Sequence, residues 1–177
     1  MAVTLAAVAM AGTTIGTAGT AKAGFPFYLL YNRGNGLCAT TQPDPNNGIP
    51  GTARFAPCNA GDSRQWWLTA TVGPDAVALA AYAKTSRGKT QCMENGPGGW
   101  GLAFLTECEL NNMNNIRQEF KIQYYTYPDG KGSYVFATYA DNNYRLSVPY
   151  TNTTSYVSIR DNIPFEDDRM HWDKIST

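Results

Sequence analysis

The chain is poor in charge, and it has no excess of either sign. Among 177 residues, 14 Lys+Arg face 14 Asp+Glu, and charged residues make up only 16%. A nucleic-acid binder normally carries a basic patch or stripe, which a neutral chain with a pI near 6.5 does not provide in bulk. Histidine is almost absent: His171 stands alone, and no Cys-x-x-Cys exists to hold a metal. Gly-x-Ser-x-Gly and a phosphate-cradling loop are missing as well. These absences lead us to expect a non-enzymatic domain with no cofactor, no metal and no nucleic-acid partner.

What the chain has instead is turn formers and rings: 17 Gly, 10 Pro, 11 Tyr, 7 Phe and 4 Trp. That richness in aromatics argues against disorder, and the length suits one domain. The first residues form a separate segment. Val3 to Ile15 are almost all small or apolar, and Ala21-Lys22-Ala23 supplies an A-x-A cleavage pattern. Residues 1–23 therefore read as a secretory signal peptide, although no Lys or Arg precedes the apolar stretch, and 24–177 as the mature, extracellular domain. The run is too short and too broken by Gly and Thr to span a membrane. Asn152-Thr153-Thr154 matches a glycosylation acceptor, which matters only in a eukaryotic secretory pathway.

Strand-like runs punctuated by Gly, Asn, Pro and Asp fill the rest, with no helical period. They are twelve, four in each third of the mature chain: 28–32, 37–40, 53–58, 65–71, 76–83, 91–94, 101–108, 118–125, 133–140, 144–149, 155–160 and 171–176. Self-comparison reveals a threefold repeat. Arg64-Gln65-Trp66-Trp67 returns as Arg117-Gln118-Glu119-Phe120 and again as Arg169-Met170-His171-Trp172. Cys38 and Cys92 align with Leu146, Cys58 and Cys108 with Ile159, and Tyr31, Tyr82 and Tyr139 precede the first of each pair. Units of about 28–75, 76–130 and 131–177 follow. Each ends in a strand with a large ring (Trp67, Phe120, Trp172), and three such rings can meet on a common axis as one core. The repeat selects Cys38–Cys58 and Cys92–Cys108 from the three connectivities that four cysteines allow, with Leu146 and Ile159 as the apolar replacement in the third unit. Arg64, Arg117 and Arg169 are expected to form one ion pair per unit.

Three Gln-x-Trp-like motifs in register with two cysteine pairs resemble the ricin B-chain-type lectins. Asn32-Arg33-Gly34-Asn35-Gly36-Leu37-Cys38 and Arg64-Gln65-Trp66-Trp67 carry the nearest match, and the similarity runs over residues 28 to 176. The resemblance implies an all-β β-trefoil of three pseudo-symmetric four-strand repeats, and a non-catalytic module that binds galactose-type sugars in shallow pockets, one per repeat. It also implies where a sugar site would lie. An Asp follows the first cysteine by two residues, an aromatic platform precedes the second by about two, and an Asn precedes the motif Gln. Here those places hold Thr40, Ala56 and Arg64 in unit one, Glu94, Thr106 and Arg117 in unit two, and Val148, Val157 and Arg169 in unit three. Only Glu94 keeps a carboxylate. Together with Asn95, Trp100 in the Gly96-Pro97-Gly98-Gly99 turn, and Asn112 in an Asn-rich run, it makes the second unit the expected ligand site.

Two other readings remain open. Trefoil relatives also serve as receptor-binding subunits of multi-subunit toxins, where the surface of Tyr124, Tyr125 and Tyr127 would dock a glycan or a protein partner. Kunitz-type trefoil inhibitors have similar length and often two disulfides, and the rigid loop Pro43–Pro50 would act as their protruding element. Those inhibitors lack the triple motif. His171, beside Trp172 in a barrel strand, is expected to be structural, and Glu166-Asp167-Asp168 to be a solvated turn.

Overall fold

In a computed structural model, residues 27–41, 51–85, 87–96, 101–109, 115–149 and 156–177 are described. Short alternating runs bounded by turn residues give twelve strands. They are β1 (Tyr28–Asn32), β2 (Leu37–Thr40), β3 (Arg54–Ala56), β4 (Trp66–Thr71), β5 (Val77–Lys84), β6 (Thr90–Asn95), β7 (Gly101–Glu107), β8 (Phe120–Thr126), β9 (Gly132–Thr138), β10 (Arg145–Ser147), β11 (Ser158–Arg160) and β12 (Trp172–Ser176). All pairings between them are antiparallel. β1, β4, β5, β8, β9 and β12 close a six-stranded barrel, each pairing with the next and β12 returning to β1. The remaining strands form three hairpins, β2–β3, β6–β7 and β10–β11. The hairpins touch one another through β7–β11 and the bridges Thr52–Phe104 and Arg54–Tyr156, and so cap one end of the barrel. This is a β-trefoil, and closure of the barrel removes the edges that an open sheet would expose.

The three rings do meet. Trp67, Phe120 and Trp172 are fully buried in a single core cluster, and Phe55 stacks on Trp172 with centroids 5.8 Å apart. Each indole also fastens a hairpin to the barrel. Trp67 Nε1 donates to the Ala39 carbonyl at 2.9 Å and Trp172 Nε1 to the Leu146 carbonyl at 3.0 Å. Both disulfides form as the repeat predicts, Cys38–Cys58 and Cys92–Cys108.

Two expectations are corrected. The motif residues do not open strands; each repeat first makes a one-turn 3-10 helix, at Ser63–Gln65, Ile116–Gln118 and Asp168–Met170. A single three-residue turn is too short to leave a helical period in the sequence. The second correction is a one-residue slip in the third unit. Leu146 pairs with Ile159 inside the core, as Ala39 pairs with Phe55 and Met93 with Leu105. The true counterpart of Cys38 and Cys92 is Arg145, which faces Arg160 across the hairpin just as Cys38 faces Ala56 and Cys92 faces Thr106. Matching by apolarity drew Leu146 onto the cysteines, but a shift of one residue turns a strand's side chains to the other face. Leu146 and Ile159 therefore replace no disulfide. By the same barrel register, Asn32, Ala81 and Thr138 are equivalent, so Tyr82 and Tyr139 match Arg33 rather than Tyr31.

Candidate functional site

The motif glutamines are structural. Gln65 is buried, takes the Asn59 N–H on Oε1 and donates from Nε2 to the Pro57 carbonyl, both at 2.9 Å. Gln118 does the same with the Glu109 N–H (3.0 Å) and the Glu107 carbonyl (2.9 Å). Met170 has no such groups and packs instead with Val135 and Ile163. The three arginines pair within their units, as expected. Asp62 caps the first 3-10 turn and grips the Arg64 guanidinium, and Asp167 does so for Arg169. In each case the adjacent guanidinium holds the carboxyl below the ordinary carboxylate range. Asn115 stands where a third Asp would be and makes no side-chain cap. Arg117 turns instead to Glu94 Oε1 at 3.2 Å and to the Asn95 carbonyl at 3.1 Å.

That pairing decides what the second unit offers. Glu94 is only 8% exposed. Its Oε2 accepts from the Thr106 hydroxyl at 2.5 Å and from Gln118 Nε2 at 3.2 Å, while Oε1 faces Arg117. The carboxylate is fully engaged inside the fold, so a sugar would have to displace protein donors to reach it. Asn95 is buried beside it, with its Oδ1 unpartnered among the described residues. Trp100 and Asn112 lie outside the described residues, as do loop 43–50, the acceptor site at 152–154 and the leader 1–23.

His171 is buried, with Nδ1 hydrogen-bonded to the Ser133 hydroxyl and Nε2 to the Phe165 carbonyl, each at 2.7 Å. Tyr125 and Tyr127 pack against its ring. The expected structural role fits. The acidic turn before it is not simply solvated: besides the Asp167 cap, Asp168 accepts from the Tyr127 hydroxyl at 2.6 Å. Burial and that bond push the Tyr127 phenol up to about 12.

Tyr124 lies on the opposite face of β8 from Tyr125, and it is 63% exposed. Its ring meets Tyr134 edge-on at 5.6 Å. The two tyrosines stand over an open cleft of about 360 Å³ between the β8–β9 hairpin and strands β1 and β12, further lined by Arg33, Lys131, Gly132, Asp173 and Lys174. Arg33 braces one wall. Its Nε donates to both Asp173 oxygens (3.0 and 3.1 Å), Nη2 donates to the Gly132 carbonyl at 2.8 Å, and its guanidinium lies 4.5 Å over the Tyr127 ring. Gly132 leaves the space that the Tyr124 ring occupies, because a Cβ there would overlap the phenol. The sequence singled out Tyr124 but missed Arg33, Lys131, Asp173 and Lys174. Arg33 stands in the Asn32–Cys38 stretch, which marked the fold and not a site, the other three belong to no motif, and the register that equates Arg33 with Tyr82 and Tyr139 emerges only from strand pairing. Among the described residues no group of three or more His, Cys, Asp or Glu is arranged to hold a metal, and no helix is long and apolar enough to cross a membrane.

A second aromatic group lies elsewhere on the surface. Trp66 touches Phe27 and Tyr82 with centroids 6.4 and 5.1 Å apart, and Tyr82 is 45% exposed.

No protein-family model matches the chain, and no curated protein matches its sequence. Solved structures do resemble it in fold. One is described as BEL beta-trefoil (TM-score 0.60, 11% identity, covering 86% of this chain and 93% of that one). Cytolethal distending toxin from Actinobacillus actinomycetemcomitans is similar at TM-score 0.59 and 16% identity, over 85% of this chain and 90% of the other. The GlcNAcα1-4Gal releasing endo-β-galactosidase from Clostridium perfringens is similar at TM-score 0.62 and 12% identity. There the match covers 86% of this chain but only 32% of the enzyme chain. At these identities the likeness establishes the fold.

Proposed function

We propose that this protein is a secreted, non-catalytic carbohydrate-recognition module of the ricin B type. It works through the Tyr124 cleft, while the position inherited from the family pattern at Glu94 is closed. The observation that carries this is the Tyr124 ring, exposed at the mouth of a polar cleft. Sugar recognition needs an apolar face for the ring's C–H side and hydrogen-bonding groups for its hydroxyls, and the cleft provides both. The Gly132 backbone and the Arg33–Asp173 pair are rigidly placed, so little order has to be imposed on binding. Export is supported by the incorporation of all four cysteines into disulfides, which persist in oxidising compartments. The absence of a catalytic constellation in the sequence supports the non-catalytic part.

A glycan array tests the reading with the wild-type protein, Tyr124→Ala and Glu94→Ala. Binding that is lost in Tyr124→Ala and kept in Glu94→Ala is the expected result. Loss in Glu94→Ala alone would return the site to the second unit, and a blank array would sink the reading.

The surface group of Tyr82, which is exposed, with the half-buried Phe27 and Trp66 favours one alternative, a receptor-binding subunit of a toxin assembly that docks through these rings. Its likeness in fold to a toxin component is in keeping with that role. Recovery of a stable partner with the protein from culture fluid, lost in Trp66→Ala, would support it over the free-standing lectin.

A further inference from the structure

Lys174 is a half-buried cation in the barrel wall. In the β1–β12 register it stands opposite Leu30, a fully buried core residue, so its stem starts on the inner face of the barrel wall. The ammonium emerges among rings, 4.6 Å from the Tyr134 centroid and 4.9 Å from that of Tyr28. Its Nζ donates to Thr69 Oγ1 at 3.0 Å, and Thr69 in turn shares a short hydrogen bond with the Tyr28 hydroxyl. Among the described residues no carboxylate pairs with it. Asp173, its chain neighbour, is held by Arg33. Removal from water without a counter-charge lowers the pKa of the ammonium. Such a group is costly to leave alone, and ring faces and one hydroxyl replace only part of its hydration. Lys131 adds a second cation at the rim of the same cleft, with Asp129 beside it at 3.3 Å.

We infer that the cleft takes an acidic sugar, one bearing a carboxylate or a sulfate, with the anionic group on Lys174 Nζ and the pyranose ring on Tyr124. The inference rests on the carbohydrate reading and adds the class of sugar. An anion at Nζ supplies the missing counter-charge, whereas a neutral hydroxyl does not. A charge-assisted hydrogen bond that forms only with the acidic sugar corresponds to a preference of about tenfold or more over its neutral parent.

Isothermal titration of the purified protein with 3′-sialyllactose, 3′-sulfolactose and lactose tests this. The expected result is binding of both acidic probes, with lactose at least about tenfold weaker. Lys174→Met should erase the difference and Lys174→Arg should restore most of it. The preference should also shrink as salt is raised. Thermal unfolding of each variant shows whether it is folded, and Lys174→Arg gives an answer even where Lys174→Met is not. Equal affinity for all three probes, or acid preference that survives in Lys174→Met, overturns the anion assignment and leaves the lectin reading intact. So does an array on which only neutral glycans bind. Failure of the three probes together with a blank array overturns both.

Discussion

The threefold repeat contains its own control for the role of the buried glutamine, because the third unit has methionine at that position. Replacing Gln118 by Met removes the acceptor of the Glu109 N–H and the donor to the Glu107 carbonyl. It also removes the donor shared by Thr106 and Glu94. Leaving a fully buried group without a partner costs about 1–3 kcal/mol, but Glu107 and Glu109 are exposed residues, so water can take over part of their bonding and the lower end applies. About 1 kcal/mol for each of these two groups and for the buried bond to Glu94, less about 1 kcal/mol for the added apolar burial, gives a net loss of about 2 kcal/mol. With a urea m-value of about 2 kcal/mol/M, the unfolding midpoint should fall by about 1 M. Gln65→Met breaks the equivalent pair of bonds, to Asn59 and Pro57, and should cost a similar amount. Met170→Gln should also destabilise, since the new amide would meet Val135 and Ile163 rather than polar partners. Equilibrium urea unfolding followed by tryptophan fluorescence reads all three. A midpoint shift below about 0.5 M for Gln118→Met, with the m-value unchanged, would refute the reasoning. It would mean that these backbone groups do not depend on the glutamine.

Opening the Cys92–Cys108 bridge, which spans 16 residues, with a double Cys→Ser replacement should lower stability by about 3 kcal/mol in the same assay. A loss below about 1 kcal/mol would contradict the loop-entropy account. Asp62 and Asp167 have folded pKa values below the unfolded one because of their arginines, so their contribution is complete above the ordinary carboxylate range and disappears as pH falls through the folded values. Unfolding midpoints measured from about pH 5 down to about pH 2 should show this loss, and Asp167→Asn should flatten it; an unaltered slope in that variant would count against the pairing. At the alkaline end, burial raises the phenols of Tyr28 and Tyr127 from 10.0 to about 12. Neutral phenol is thus favoured by the fold, and stability should decline as pH rises above 10.0 toward 12. Phenolate absorbance should show a late-titrating class of tyrosines that shrinks in Tyr127→Phe. Finally, a Cβ on Gly34 would meet the Arg169 backbone at 2.6 Å. Gly34→Ala should therefore destabilise, because two backbones, and not a flexible side chain, have to separate; a neutral melting temperature would argue otherwise.

Much of the architecture was legible because it depends on local signals repeated three times. Turn residues punctuate the strands, cysteines recur in two units, and a large ring recurs in three, so the chain itself determined the all-β class, the count of twelve strands, both disulfides and the shared ring core. The arginine in each unit pointed to an ion pair, and three formed. What failed was finer in scale. The slip at Leu146 arose because apolarity does not tell an inward strand position from the outward one beside it, and only the pairing of Leu146 with Ile159 does.

The site was far less legible. Glu94 carries the residue type that the family pattern wants, yet whether its oxygens are free depends on Thr106, Gln118 and Arg117, which arrive from β7 and the second 3-10 turn. The Tyr124 cleft joins residues 141 positions apart, from Arg33 to Lys174, and no motif links them. Period and composition act along the chain, and they determined the elements and the symmetry of this protein. Tertiary packing acts across it: β7 and the second 3-10 turn lock the Glu94 carboxylate inside, and β12 laid against β1 sets Lys174 among rings, with no counter-charge among the described residues.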